Sequence, residues 1–143
     1  MIKAAVDTSF AVALMDSKDM HHQRATHMLA GMGESGVELV YVDCVINEIY
    51  SVIARKLWER KMQERFPVIA DEIASSLENV EVVSAYRYLP KAHRAVVDLM
   101  KQTQGRLNYH DALIALSLKE EGIDNIITLD KDFDEVEWLE RIS

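Results

Sequence analysis

Short apolar runs alternate with longer amphipathic segments along this chain, and the alternation predicts the fold. Four runs are rich in β-branched residues and too uniformly apolar for strands with one face in water, so we expect both of their faces to be covered. They lie at residues 3–6 (preceded by Ile2), 38–42, 80–83 and 125–129. Helical segments between them indicate βαβ units. The predicted class is α/β, a three-layer α/β/α sandwich with a central parallel sheet of four to five strands.

Capping and turn residues mark the helices. Proline is tolerated in the first turn of a helix and not inside one, so Pro67 is expected to divide a long apolar-periodic region in two. The predicted helices are residues 22–31 (capped by Asp19 or His21, ended near Gly31 and Gly33), 44–66, Pro67 to Leu77, Pro90 to Gln104, and Asn108 to Glu121, closed by Gly122. No repeat or linker interrupts the pattern, so residues 1–143 are predicted to form one domain.

Charge modifies this picture locally. The net charge of −8 argues against a general nucleic-acid binder, because phosphate contacts need Lys and Arg. Residues 55–65 nevertheless carry a net +3 and residues 87–106 a net +4, whereas residues 119–143 carry −6. The two basic segments are either ordinary solvated helix faces or local RNA-binding surfaces.

Cysteine usage and hydropathy bear on the compartment. The single cysteine, Cys44, cannot form an intrachain disulfide, which favours a reducing compartment. No apolar run approaches the roughly 20 residues that span a bilayer. Asp7 interrupts the only apolar stretch that resembles a signal peptide. The expected location is therefore the cytoplasm.

Four acidic residues are placed where the predicted topology gathers side chains. Asp7 follows the first strand, Asp130 follows the last, and Glu48 lies in the first turns of the helix after the second strand. Asp111 lies in the first turn of the helix that leads into the last strand. Ligand sites in open parallel sheets form beyond the carboxyl ends of the strands, so all four are expected at one edge.

The surroundings of these acids favour a bound cation. Each acid alone could be a helix cap or a solvated residue. Glu48 and Asp111, however, stand among apolar residues with no Lys or Arg within three positions. Two carboxylates about 4 Å apart repel by roughly 4 kcal/mol at an effective dielectric near 20. Oxygen-only ligands select Mg²⁺ or Mn²⁺, and such an ion suits phosphodiester hydrolysis.

Four motifs in order resemble the PIN domain, most closely the VapC-type ribonuclease toxins of toxin–antitoxin pairs. They are Asp7-Thr8-Ser9, Asn47-Glu48, the run from Asn108 to Ala115, and the run from Thr128 to Phe133. The resemblance implies that Asp7, Glu48, Asp111 and Asp130 hold one or two Mg²⁺ or Mn²⁺ ions and that a metal-activated water cuts single-stranded RNA. It further implies support from the hydroxyl of Ser9 or Thr8. Asp132 and Asp134 compete with Asp130 for the fourth place, and Asp130 is preferred because it ends the strand.

The resemblance also suggests partners. It implies a homodimer and a small protein antitoxin that lies in a groove near the active site. The stripe Trp58, Met62, Phe66 and Ile69 is either such a surface or simply core. His110 invites a general-base role, although a solvent-facing or capping histidine is preferred. The alternative to a nuclease is a catalytically silent PIN-like module that acts through a protein partner.

Overall fold

The chain folds around a five-stranded parallel sheet, and the computed structural model describes residues 2–143. The strands are β1 (Ile2–Val6), β2 (Val37–Val42), β3 (Glu81–Val83), β4 (Asn125–Ile127) and β5 (Glu140–Ile142). Their order across the sheet is β3-β2-β1-β4-β5, and every neighbouring pair is parallel. The last three residues of β1 and of β2 and the last two of β4 are buried, as expected for uniformly apolar strands.

Six helices connect the strands. They are α1 (Thr8–Met15), α2 (His22–Ser35), α3 (Asp43–Glu59), α4 (Phe66–Ser76), α5 (His93–Gln102) and α6 (Tyr109–Glu120), with short 3-10 turns at Gln63–Arg65, Tyr86–Tyr88 and Lys131–Glu135. Within residues 2–143, none of the helices has the length and hydropathy needed to cross a bilayer.

The strand order divides the helices between two faces. The chain moves outward from β1 to β2 to β3 and then returns across β1 to β4. Because parallel crossovers are right-handed, α1 to α4 pack on one face of the sheet and α5 and α6 on the other. This arrangement confirms the predicted three-layer α/β/α sandwich. The five strands agree with the predicted number of four to five, although the sequence pattern assigned no apolar run to β5.

Three predicted helix boundaries are wrong for local reasons. Helix α2 continues through Gly31 and Gly33 and ends at Gly36, whose φ of +71° suits glycine. Two glycines inside a helix cost about 1 kcal/mol each, and the burial of Met32 between them offsets part of that cost.

The other two wrong boundaries belong to α3 and α5. The helix predicted to reach residue 66 ends at Glu59, and Lys61 then takes a φ of +56°, which a right-handed helix does not allow. Helix α5 begins at His93 rather than Pro90, because residues 89–92 first form a turn.

Other boundary predictions are confirmed. Pro67 lies in the first turn of α4, separated from α3 by the Gln63–Arg65 turn. The side chain of Asn108 caps α6 by accepting a hydrogen bond of 2.8 Å from the backbone N–H of Asp111. Gly122 follows α6 with a φ of +69°.

The apolar stripe on α3 and α4 is divided between core and surface. Met62, Phe66 and Ile69 are half-buried and pack against the core. Trp58 is 67% exposed. Three of the four stripe residues are therefore core, and they do not form a continuous exposed surface.

Ion pairs join the end of α1 to α3. Arg60 donates two hydrogen bonds to the carboxylate of Asp16, at 2.9 and 3.1 Å, and Lys56 lies 3.0 Å from Asp19. Asp16 itself is buried. Two positive charges of the basic segment 55–65 are therefore neutralised locally by acids, which argues for the solvated-face interpretation of that segment.

Candidate active site

The carboxyl ends of β1 and β4 form the point where the strand order reverses. The connection that leaves β1 leads to β2 on one side of β1, whereas β4 pairs with β1 on the other side. A crevice opens at such a point because the two connections diverge. The backbone N–H of Asp7 donates to the carbonyl of Ile127 at 3.0 Å, so the two strand ends are directly joined.

Asp7 is buried at this junction and is held by hydroxyl groups. Thr128 donates to Asp7 Oδ2 at 2.6 Å and Ser9 at 3.1 Å. Ser9 Oγ also accepts from the N–H of Leu129, and Thr128 Oγ1 accepts from the N–H of Asp130. Burial raises the pKa of Asp7, and the hydrogen bonds offset that only in part. Although Asp7 precedes α1, its side chain makes no capping bond.

Glu48 is held by one group on each carboxylate oxygen. Thr8 donates to Oε2 at 3.1 Å, and Nδ1 of His110 lies 3.0 Å from Oε1. We expected His110 to face solvent or to cap its helix; its side chain is partly exposed, and its ring nitrogen also contacts Glu48, which the sequence did not predict. Both hydroxyl candidates from the sequence therefore contact predicted metal ligands, Ser9 on Asp7 and Thr8 on Glu48.

The pKa of Asp111 depends on the charges of the other three acids. Asp111 lies in the first turn of α6, as predicted. Burial and the charges of Asp7, Asp130 and Glu48 raise the pKa of Asp111 to about 7, against a single favourable hydrogen bond at Asn108. All four predicted acids therefore lie close enough to interact electrostatically.

The three competing acids near residue 130 have different partners. Asp130 follows β4 after two intervening residues, rather than directly, and its Oδ1 accepts from the N–H of Asp132 at 2.9 Å. Burial and the neighbouring charge of Asp130 raise the pKa of Asp132. Asp134 forms a two-bond pair with Arg141, at 2.8 and 3.0 Å, which lowers its pKa. Asp134 is thus committed elsewhere, and the geometry favours Asp130 as the fourth acid.

The donor set at this edge fits a divalent cation. It consists of carboxylate oxygens, one of them nine-tenths buried, and within residues 2–143 the structure assigns no Lys or Arg partner to any of the four. Hard oxygen ligands of this kind suit Mg²⁺ or Mn²⁺. In the described part of the chain, no three His, Cys, Asp or Glu side chains converge into a preformed ligand set. Binding would therefore draw the carboxylates together.

A cleft of about 480 Å³ lies beside the cluster. The cleft is lined by Thr8, Ser9 and Asp130 and also by Asp19, His21 and Lys56. It is large enough for several atoms of a bound substrate.

The sequence did not predict the contacts of Thr128 with Asp7 and of His110 with Glu48. Thr128 is fully buried at a strand end, and a buried hydroxyl needs a partner, so its position carried a usable signal. The contact of His110 with Glu48 joins residues 62 positions apart and depends on side-chain direction. No sequence pattern of the chain shows that direction.

Comparisons with known proteins agree with this architecture. A family model for the PIN domain matches residues 4–139. VapC20 of Mycobacterium tuberculosis, a sarcin-ricin loop cleaving toxin, has a TM-score of 0.69 at 21% identity over 92% of each chain. VapBC2 from Rickettsia felis, bound to a promoter DNA fragment, has a TM-score of 0.66 at 16% identity over 100% of each chain.

DNA-bound VapBC from Salmonella typhimurium has a TM-score of 0.66 at 12% identity, over 99% of this chain and 98% of the other. No sequence among the curated proteins matches significantly. At these identities the structural neighbours show a shared fold.

Proposed function

The chain belongs to the PIN domain family, and we propose that it is an Mg²⁺- or Mn²⁺-dependent endoribonuclease that cleaves single-stranded RNA. The catalytic and metal-binding residues of this proposal are Asp7, Glu48, Asp111 and Asp130. The observation that supports it best is that these four acids lie at one edge of the sheet without a Lys or Arg partner in residues 2–143, where burial and then the charge of the other acids raise the pKa of Asp111 to about 7. A domain that served only as a scaffold would gain nothing from concentrating unpaired carboxylates.

The side chains around the acids position them. Thr128 and Ser9 fix the carboxylate of Asp7, while Thr8 and His110 fix that of Glu48. Such partners orient each of these two carboxylates, and a bound cation would still have to draw the four acids together. A bound divalent ion supplies activation of water and charge stabilisation at the phosphate. Since no side-chain nucleophile is needed, the chain's own residues act by holding and orienting.

We further propose that the protein is the toxin of a toxin–antitoxin pair, silenced by a small protein antitoxin, and that it forms a homodimer. The support is the family and the likeness in fold to VapC20, described as a toxin, and to two VapBC structures. A short neighbouring reading frame that encodes a DNA-binding antitoxin would support the pairing. Co-purification of that product with this chain would test it directly.

The first prediction concerns RNA cleavage. Purified protein is expected to cut a labelled single-stranded RNA with Mg²⁺ or Mn²⁺ and to lose this activity in EDTA. Asp7→Asn is expected to reduce cleavage on the order of 10²–10³-fold, because it removes a negatively charged ligand from the proposed metal site. Asp71→Asn, which alters an exposed carboxylate on α4, is the matched control. Cleavage by Asp7→Asn at the wild-type rate would remove the proposed mechanism.

Metal binding separates this proposal from the silent binding module. Calorimetry with Mn²⁺ is expected to show binding by wild-type protein and much weaker binding by Asp7→Asn. A chain that binds no metal and cleaves no RNA would instead act through a protein partner alone.

A further inference from the structure

Aromatic and histidine rings cluster at the same edge of the sheet as the four acids. The rings of Tyr86 and His110 meet edge to face, with centroids 6.2 Å apart and planes at 67°. The rings of His93 and Tyr109 lie 5.7 Å apart at 40°, and His93 Nδ1 is 2.9 Å from the hydroxyl of Tyr109. Tyr86 is 40% exposed, and the other three are at least partly exposed. Tyr109 packs partly against the core, whereas Tyr86 and His93 are the more exposed of the four rings.

The ring cluster is directly joined to the carboxylates. Tyr109 and His110 immediately precede Asp111 in the first turn of α6. His110 also contacts Glu48 through its Nδ1 atom, 3.0 Å from Oε1. A group stacked on Tyr86 therefore lies one side chain away from a proposed metal ligand.

The turn that carries Tyr86 is held rigidly. Asp43, the first residue of α3, accepts hydrogen bonds from Ser84 Oγ at 2.7 Å and from the N–H of Ala85 at 2.9 Å. Ser84 Oγ in turn accepts from the N–H of Arg87 at 3.3 Å. Ala85 is fully buried. Tyr86 is thus presented from a fixed backbone, which limits the entropy that a ligand must remove on binding.

Basic residues lie in the chain segment that carries His93. Residues 87–106 hold five basic residues and one acidic residue, in a chain whose net charge is −8. Arg87 pairs with Glu121, Arg94 with Asp98 and Arg106 with Glu135, so within residues 2–143 the basic residues of this segment that form no ion pair are Lys91 and Lys101. These two positive charges attract a polyanion to a part of the surface that also offers stacking rings. Single-stranded nucleic acid has both a negatively charged backbone and bases that stack.

We propose that Tyr86, His110, His93 and Tyr109, here named the stacking surface, bind the bases of single-stranded RNA next to the carboxylate cluster. The proposal rests on the proposed ribonuclease function and deepens it by naming where the substrate bases lie. Bases stack on the rings and hold the strand, while the sugar–phosphate backbone continues toward Glu48 and Asp111. Because every base has a π-face, the surface favours unpaired RNA over duplex without a strict sequence requirement.

The test measures RNA binding in EDTA, where cleavage cannot occur. Fluorescence anisotropy is followed with a short labelled single-stranded RNA and with an abasic oligomer that has the same backbone without bases. The variants are Tyr86→Leu, which removes the ring, and Tyr86→Phe, which keeps it. Trp58→Leu is the matched control, since Trp58 is an exposed aromatic residue about 22 Å along α3 from the end of that helix at the carboxylate edge.

Tyr86→Leu is expected to weaken binding of the normal RNA by about 5- to 150-fold, the effect of losing one stacked base. Tyr86→Phe and Trp58→Leu are expected to bind within about twofold of wild type, since neither removes a ring from the stacking surface. The abasic oligomer is expected to bind wild type weakly, and Tyr86→Leu should weaken it little further. Thermal melting confirms that each variant is folded.

Three outcomes would overturn the stacking surface. They are wild-type affinity of Tyr86→Leu for normal RNA, equal weakening of both oligomers, and equal effects of Tyr86→Leu and Trp58→Leu. Cleavage that still depends on Asp7 in those cases leaves the ribonuclease proposal intact. Conversely, RNA binding that depends on Tyr86 in a protein that never cleaves would support the surface and reject the nuclease.

Discussion

The acids of this chain differ in what their carboxylates face. Burial is the largest effect on Asp16 and would raise its pKa, but hydrogen bonds from Arg60, the N–H of Lys18 and Lys56, together with the charge of Arg60, outweigh it and lower that pKa. The pKa of Asp134 is likewise lowered by Arg141. Asp7 and Asp111 face burial and other acids, and their pKa values are raised. Asp16 and Asp134 thus each have a cationic partner, whereas within residues 2–143 no Lys or Arg pairs with Asp7 or Asp111.

Removing the charge of Asp111 is predicted to stabilise the metal-free protein at high pH. Its folded pKa of about 7 lies above the ordinary value of 3.8, so the folded state keeps a proton that the unfolded state releases. The free energy of unfolding therefore falls as pH rises from about 4 to about 7. In EDTA at pH 8, Asp111→Asn is expected to gain about 1–2 kcal/mol, a value reduced for solvent screening at this partly exposed group.

Urea denaturation at pH 4 and pH 8 measures this difference. The gain is expected to vanish at pH 4, where wild-type Asp111 is largely protonated, and Asp71→Asn should show no such pH dependence. With Mn²⁺ present the order reverses, because the metal stabilises wild type. A gain of the same size at both pH values would show that charge is not its cause.

Secondary-structure elements are joined in this fold by a few polar contacts as well as by the apolar core. The Asp16–Arg60 pair ties the end of α1 to the end of α3. Asp43 ties the start of α3 to the chain leaving β3. The first contact secures the layer of α1 to α4, and the second secures the turn that presents Tyr86.

Breaking the link between α1 and α3 is predicted to destabilise the protein. Arg60→Gln leaves the carboxylate of Asp16, which is only 8% exposed, with Lys56 as its remaining charged partner at 3.4 Å. The expected loss is about 1–3 kcal/mol in the free energy of unfolding, less than for a fully buried pair because Arg60 is partly exposed. Arg55→Gln breaks an exposed pair with Glu59 and should cost under about 0.5 kcal/mol.

Denaturant unfolding at neutral pH compares the two variants. The loss in Arg60→Gln should shrink as pH falls, because protonation of Asp16 removes the unpaired charge. Equal stability of the two variants would show that the link contributes no more than a surface pair.

Helix and strand predictions succeeded where the local pattern and the packing agree. Asn108 and Gly122 bound α6 as predicted, since a cap and a positive φ are local properties. The end of α2 was misjudged because burial of Met32 is a tertiary effect that outweighs two glycines. The three-residue strand β5 was missed because two of its three residues, Glu140 and Arg141, are charged and lack the uniformly apolar pattern of a central strand.

The fold of the whole molecule determines which side chains meet at the site, and only some of those contacts can be predicted from the sequence. Asp7 and Asp130 could be brought together from topology alone, because β1 and β4 had to end at one edge. The sequence preferred Asp130 over Asp134 by its place after the strand, and the position of Arg141, known only from the fold, supports that choice. The roles of Thr128 and His110 likewise depend on side-chain directions across the sheet.

The thiol of Cys44 is predicted to react with a thiol reagent only when the whole domain unfolds. Cys44 is fully buried, and burial, together with the charges of Asp43 and Glu48, raises the pKa of its thiol to about 12. The native protein at pH 8 should therefore react with a thiol reagent only through unfolding. Mn²⁺ should slow labelling further by stabilising the native state.

Rapid labelling in urea is the positive control for Cys44. Fast labelling of the native protein, or no effect of the metal on an otherwise slow reaction, would contradict this prediction.

The contact between Asp7 and Thr128 also has a consequence for synthesis on the ribosome. The two residues are 121 positions apart, and translation adds about 5–20 residues per second. A nascent chain thus carries Asp7 for roughly 6–24 s before Thr128 is even polymerised. Until then the first acid has neither its hydroxyl partner nor the neighbouring strand β4. A growing polypeptide therefore cannot assemble the proposed nuclease until elongation is nearly finished.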